Sequence, residues 1–177
     1  MRKNRVAKLA FASAVAAFGI LSPIAPQAVA LDQPVSRVAA GVDGATKAIA
    51  AGNPGAVVAA ATVCGAGYNL AYAERLPDAS RKGTLFTYIK GTGGASDDTP
   101  TCAIFENNTT STKWMKIKLC SNYTAEGCAS DEGNFSQYAG PVYRVHGGCG
   151  DVTALMKSTS TSSTYIVNAV RGATSCN

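Results

Sequence analysis

Lys113-Trp114-Met115-Lys116-Ile117-Lys118-Leu119-Cys120 is the stretch from which the fold is read. Met115, Ile117 and Leu119 alternate with Lys116 and Lys118, and side chains two apart on a strand share a face. One face is expected to be buried and the other wet, as in an antiparallel sheet packed on one side. Outward from this stretch, runs rich in β-branched and aromatic residues alternate with clusters of Gly, Ser, Thr, Asp and Asn. Strands are expected over 68–74, 84–90, 101–106, 113–120, 137–145 and 165–170. Leu85, Phe86, Tyr88 and Ile89 put apolar groups on both faces, which predicts a central strand covered on both sides. Glycine-rich and serine-rich stretches at 91–97 and 158–164 read as loops. The fold class is mainly β: a small antiparallel sandwich or barrel, stapled by disulfides and carrying a short helical N-terminal extension.

That extension precedes Cys64. Residues 31–63 are rich in alanine and hold no aromatic residue. Val35, Val38, Val42, Ala45 and Ile49 recur at spacings of three and four, one face of a helix. Gly41 and Gly44 each weaken such a helix by roughly 1 kcal/mol relative to alanine. Asn53 followed by Pro54 reads as an N-cap and a first-turn proline opening a second helix through Val63. Alanine buries little area, so this segment is expected to be loosely held.

Further upstream, Arg2, Lys3, Arg5 and Lys8 precede an apolar stretch from Leu9 to Leu21 and a small-residue site at Ala28-Val29-Ala30. This is the pattern of a signal peptide spanning residues 1–30, cleaved after Ala30. The apolar stretch falls short of the ~20 residues of a spanning helix, so no transmembrane segment is expected in the mature form. Four of the 16 Lys and Arg residues and none of the 11 acidic ones lie in residues 1–30. The mature chain thus carries 12 basic and 11 acidic residues, a net charge of +1. No basic excess remains to recruit nucleic acid or an anionic membrane. Residues 64–177 are expected to form the disulfide-bonded β domain.

Cys64, Cys102, Cys120, Cys128, Cys149 and Cys176 all follow the signal. The C-x-x-C pairs of a zinc centre are missing and there is a single histidine, so no metal site and no cofactor is expected. An even cysteine count in an exported chain reads as disulfides. Six cysteines allow fifteen pairings. Cys120 and Cys128 bracket a polar segment able to turn back on itself, and closing that loop constrains the unfolded chain by roughly 2.5 kcal/mol. Cys64 and Cys176 bracket the β region, so joining them would fasten its ends and leave Cys102 for Cys149.

Cys64-Gly65-Ala66-Gly67-Tyr68, Thr101-Cys102-Ala103-Ile104, the run from Phe135 through Tyr138-Ala139-Gly140-Pro141-Val142-Tyr143, and Cys149 together resemble the secreted spore-associated protein A family of filamentous, spore-forming bacteria. The resemblance covers about residues 62–150. A departure follows Cys149, where Gly150-Asp151-Val152-Thr153 stands in place of a Trp-Gly-Gly element. The resemblance implies an extracellular protein of the spore surface or cell envelope, with cell-wall or spore-surface components as partners and no established catalytic activity.

His146 is the sole histidine, so a serine-histidine mechanism would run through it, oriented by Asp151 or Asp131. No G-x-S-x-G elbow accompanies it, and Gly147 and Gly148 are explained by a tight turn. A glycosidase would need two carboxyls facing each other from among Glu74, Glu106, Glu126 and Glu132. No catalytic residue is assigned, and a small hydrolase using His146 stands as an alternative. Trp114, on the wet face of its strand, forms with Tyr138 and Tyr143 a candidate face for binding carbohydrate or protein.

Overall fold

The alternation at 113–120 becomes strand β4 (Lys113–Cys120), with Met115, Ile117 and Leu119 fully buried. The computed structural model describes residues 37–176, so the expected signal peptide and its cleavage site lie outside the described residues. The elements in chain order are α1 (Gly44–Gly52), α2 (Pro54–Cys64), β1 (Tyr68–Leu76), β2 (Gly83–Lys90), β3 (Thr101–Asn107), β4, β5 (Cys128–Phe135), β6 (Tyr138–Arg144), β7 (Asp151–Lys157) and β8 (Tyr165–Gly172), with a 3-10 turn at Thr124–Glu126.

The strands form two four-stranded sheets, ordered β1-β2-β3-β6 and β5-β4-β7-β8, with every neighbouring pair antiparallel. The two open sheets make the fold a sandwich and not a closed barrel. Between them lies a core of Leu85, Ala103 and Phe105 from the first sheet and Met115, Ile117, Val152, Ala154 and Met156 from the second. The first sheet is covered again on its outer face by α1 and α2, where Val57, Leu70, Phe86, Tyr88 and Ile104 form a second cluster. This explains the apolar run of β2: Leu85 faces the other sheet, while Phe86 and Tyr88 face the helices. Among the described residues nothing covers the second sheet in this way, and its outer side chains are exposed or half-buried.

Strands β5 and β7 extend the six-strand expectation. β5 carries no β-branched residue, and of its inward positions Ala129, Asp131, Gly133 and Phe135 only the last is a large apolar residue, so no alternation is visible. Its register against β4, from Lys113↔Phe135 to Cys120↔Cys128, holds it in place. β7 does alternate, with Val152, Ala154 and Met156 buried.

The described part of the segment before Cys64, residues 37–63, is not a loose extension. Residues 37–39 run along the free edge of β1, with a parallel bridge Val38↔Leu70 and hydrogen bonds Ala39 N to Leu70 O and Leu70 N to Arg37 O. That placement breaks the expected helix: Gly41 turns the chain at φ +77°, and α1 starts only after Asp43, whose carboxylate caps Thr46 N at 2.7 Å. The Thr46 hydroxyl then accepts from Ala73 N at 3.0 Å, satisfying another edge donor of β1. Pro54 opens α2 as expected, but the Asn53 side chain makes no capping bond to it. Val57 is fully buried, and Tyr88 Oη donates to its carbonyl at 2.8 Å. Alanine buries little, but small side chains let two short helices lie close on the sheet.

Disulfides join Cys64 to Cys102, Cys120 to Cys128 and Cys149 to Cys176. The Cys120–Cys128 clasp is the one anticipated, while Cys64–Cys176 and Cys102–Cys149 are corrected. α2 ends over the first sheet, so Cys64 meets Cys102 on the helix-facing side of β3. Cys149 precedes β7 and Cys176 follows β8, and because β7 and β8 are neighbours these two cysteines meet at the same end. Bracketing in sequence did not predict proximity, because chain ends are joined through sheet order and not through sequence span.

Candidate functional site

His146 follows β6 in a run of buried glycines, Gly147, Gly148 and Gly150, on which three other segments converge. Gly147 N bonds Thr99 O, Asn122 N bonds His146 O, and Thr174 Oγ1 donates to Gly148 O at 2.6 Å. The imidazole Nδ1 contacts the Glu126 carboxylate, and Nε2 lies 3.9 Å from Asp98 Oδ1. The Tyr123 ring stacks edge-on at 5.0 Å, and its hydroxyl donates to Asp98 at 3.0 Å. The hydrogen bond from His146 holds the Glu126 carboxyl below the usual carboxylate range. Asp131 and Asp151 are not its partners: Asp131 accepts Gly140 N–H at 2.8 Å across the β5–β6 corner, and Asp151 is exposed on β7. The nearby Ser121 hydroxyl donates to the His146 carbonyl and not to its ring. Among the described residues, the imidazole thus sits between two carboxylates with no hydrogen-bonded nucleophile.

The expected aromatic face divides between two surfaces. Trp114 lies half-exposed on the outer face of the second sheet, where register places it beside Lys157 and Lys157 beside Tyr165. The Lys157 ammonium sits 5.2 Å from the Trp114 ring centroid and 4.6 Å from that of Tyr165. The next rows add Lys116, paired to Glu132 at 2.5 Å, and Lys118. Tyr138 and Tyr143 belong instead to the helix-covered side of the first sheet. Tyr138 packs against the helix cluster. Tyr143 Oη donates to Val63 O at 3.2 Å, beside the Cys64–Cys102 bridge, and its ring meets Tyr68 at 6.0 Å. Lys157 and Tyr165 escaped the sequence reading because their meeting with Trp114 depends on β7.

The four carboxylates considered for glycoside chemistry do not converge. Glu74 forms a bidentate pair with Arg171 across the open edge between β1 and β8, at 2.7 and 3.0 Å, and accepts from Tyr72 Oη at 2.7 Å. Glu126 is engaged by His146 and Glu132 by Lys116. The Glu106 carboxylate takes no hydrogen bond or ion pair among the described residues. Half-buried, it lines a cleft of about 360 Å³ between α2 and the first sheet, together with Arg75 and Arg81. Burial raises its pKa above the ordinary value, and the Arg75 charge opposes that rise. Among the described residues no group of three or more His, Cys, Asp or Glu side chains is placed to hold a metal, and no single helix is long and apolar enough to cross a membrane.

The chain is similar to Spore-associated protein A of Streptomyces coelicolor. The two are 32% identical over 88 residues, 49% of this chain and 52% of the relative. The chain therefore spans about half the length of the curated relative it matches. No family model matches it, and no solved structure does.

Proposed function

We propose that this protein is exported and serves outside the cell as a non-enzymatic component associated with the spore surface or cell envelope. The observation that carries this reading is the similarity to Spore-associated protein A. The three disulfides support it, because such bonds persist in oxidising surroundings, and so does the signal pattern of residues 1–30. The two carboxylates around His146 support a structural role for that residue, fastening the Cys120–Cys128 turn to the loop carrying Asp98. A tagged full-length chain expressed in a spore-forming host is expected to fractionate mainly with spores or envelopes. Recovery of all of it free in the culture medium would overturn the reading.

The row Trp114, Lys157, Tyr165 favours a second, compatible reading as a binding module. Exposed rings stack on sugar faces, and Lys118 and Lys157 beside them favour negative charge, so the partner chemistry is an anionic envelope glycan. Replacing Trp114 and Tyr165 together by alanine is expected to weaken retention on isolated envelopes about tenfold. A doubly substituted protein retained as well as its parent would remove this face from consideration.

A further inference from the structure

The cleft beside α2 holds an acid and two bases that leave one another unpaired. Arg75 and Arg81 form no ion pair among the described residues, although Asp43, Glu74 and Asp78 line an adjoining cleft with them, and the Glu106 carboxylate faces the first cleft without a partner. Ile49, Ala56 and Phe86 supply an apolar wall. A concave site of a few hundred Å³ with an apolar lining and a few converging polar groups has the form of a small-molecule site.

We infer that this cleft binds a small zwitterion of the amino-acid or short-peptide class, its carboxylate held by Arg75 and Arg81 and its amino group by Glu106. Paired charges on one ligand fill the gap between protein charges that do not reach each other, and guanidinium groups suit a carboxylate through forked hydrogen bonds. The start of α2 adds to the anion end. Asn53 and Ala56 line the cleft, and Asn53 gives the first turn of α2 no side-chain cap.

Arg81 is held for this role at a backbone cost. It is a non-glycine residue in the left-handed region, φ +47°, in the loop between β1 and β2. Such conformations cost energy and concentrate at ligand sites. Its N–H bonds Pro77 O at 2.7 Å, and Asn108 Nδ2 donates to its carbonyl at 3.3 Å and to Thr84 Oγ1 at 2.8 Å. Arginines at a helix start would also attract inorganic phosphate, but Glu106 in the same cleft repels a doubly charged anion. Burial raises the pKa of Glu106, and the Arg75 charge offsets that rise only in part.

The test is calorimetric titration of the secreted protein with L-alanyl-L-alanine, its N-acetylated form, its C-terminal amide and inorganic phosphate. Saturable binding of the free dipeptide is expected, with each capped form weaker by at least about tenfold and phosphate no tighter than the capped forms. Glu106→Gln should weaken the free dipeptide likewise while leaving the N-acetylated form unaffected or improved, a split that a mere loss of structure would not give. Arg81→Gln should weaken both. No saturable binding of the free dipeptide up to about 10 mM would overturn the inference. Capped forms or phosphate binding as tightly as the free dipeptide would overturn it too, and those arms need no substitution.

Discussion

Replacing Cys64 and Cys102 together by alanine is expected to lower stability by about 4 kcal/mol, on the order of 10 °C in melting temperature. The chain-entropy argument gives this bridge the largest effect of the three, because its sequence separation is 38, against 27 for Cys149–Cys176 and 8 for Cys120–Cys128. The loss should also have a location. This is the one bridge that ties the helix layer to the sandwich, so the amides of α1 and α2 should exchange faster by a larger factor than those of β4 and β7. Buried Val57 and the Tyr88 bond to its carbonyl keep α2 docked, so the helices should loosen without leaving. Thermal unfolding with hydrogen exchange checks both parts. Had the bridge joined Cys64 to Cys176, its removal would free the two ends and leave α2 against β3 unaffected. A variant whose protection falls only around residues 172–176 would contradict the role assigned here.

The contrast shows which parts of this molecule were legible in its sequence. β4 was readable because a single strand with one wet face prints its environment on every residue, as Lys116 and Lys118 against Met115 and Ile117 show. β2 was readable for the complementary reason, both of its faces being covered. β5 was not, because it is an edge strand whose inward side chains before Phe135 are small or polar, and its place comes from β4. Alternation also reveals which face of its own strand a residue occupies but not which sheet the strand joins. Trp114 was rightly placed on a wet face, while Tyr138 and Tyr143, read as its neighbours, lie on the other sheet against the helices. The same limit hid the cleft. Arg75, Arg81 and Glu106 come from β1, the loop after it and β3, and only the pairing of β1, β2 and β3 under α2 brings them to one space.

Gly150→Ala is expected to destabilise the protein by about 3 kcal/mol or more, a size reserved for substitutions with no local escape. A Cβ at this buried position would overlap the Cys120 carbonyl oxygen and lie 3.3 Å from Asn122 N, both backbone atoms that cannot rotate away. Moving Gly150 is no easier, since its N–H bonds Gly147 O at 3.2 Å and its carbonyl accepts from Ala173 N at 2.7 Å. Gly150 follows Cys149 and abuts the carbonyl of Cys120, so a shift would pull on two of the three disulfides at once. In the sequence this glycine follows Cys149, two residues beyond the Gly147-Gly148 pair read as a tight turn, and nothing there marks it as a close approach. In the fold it is where the β6–β7 connection passes beneath the Cys120 corner and against the C-terminal segment. Gly93→Ala supplies the comparison: nothing lies within 4 Å of a Cβ there, so its effect should stay within about 0.5 kcal/mol. Chemical denaturation of the two variants beside the parent decides the matter. Equal midpoints for Gly150→Ala and Gly93→Ala would mean that the two segments do not meet as closely as described.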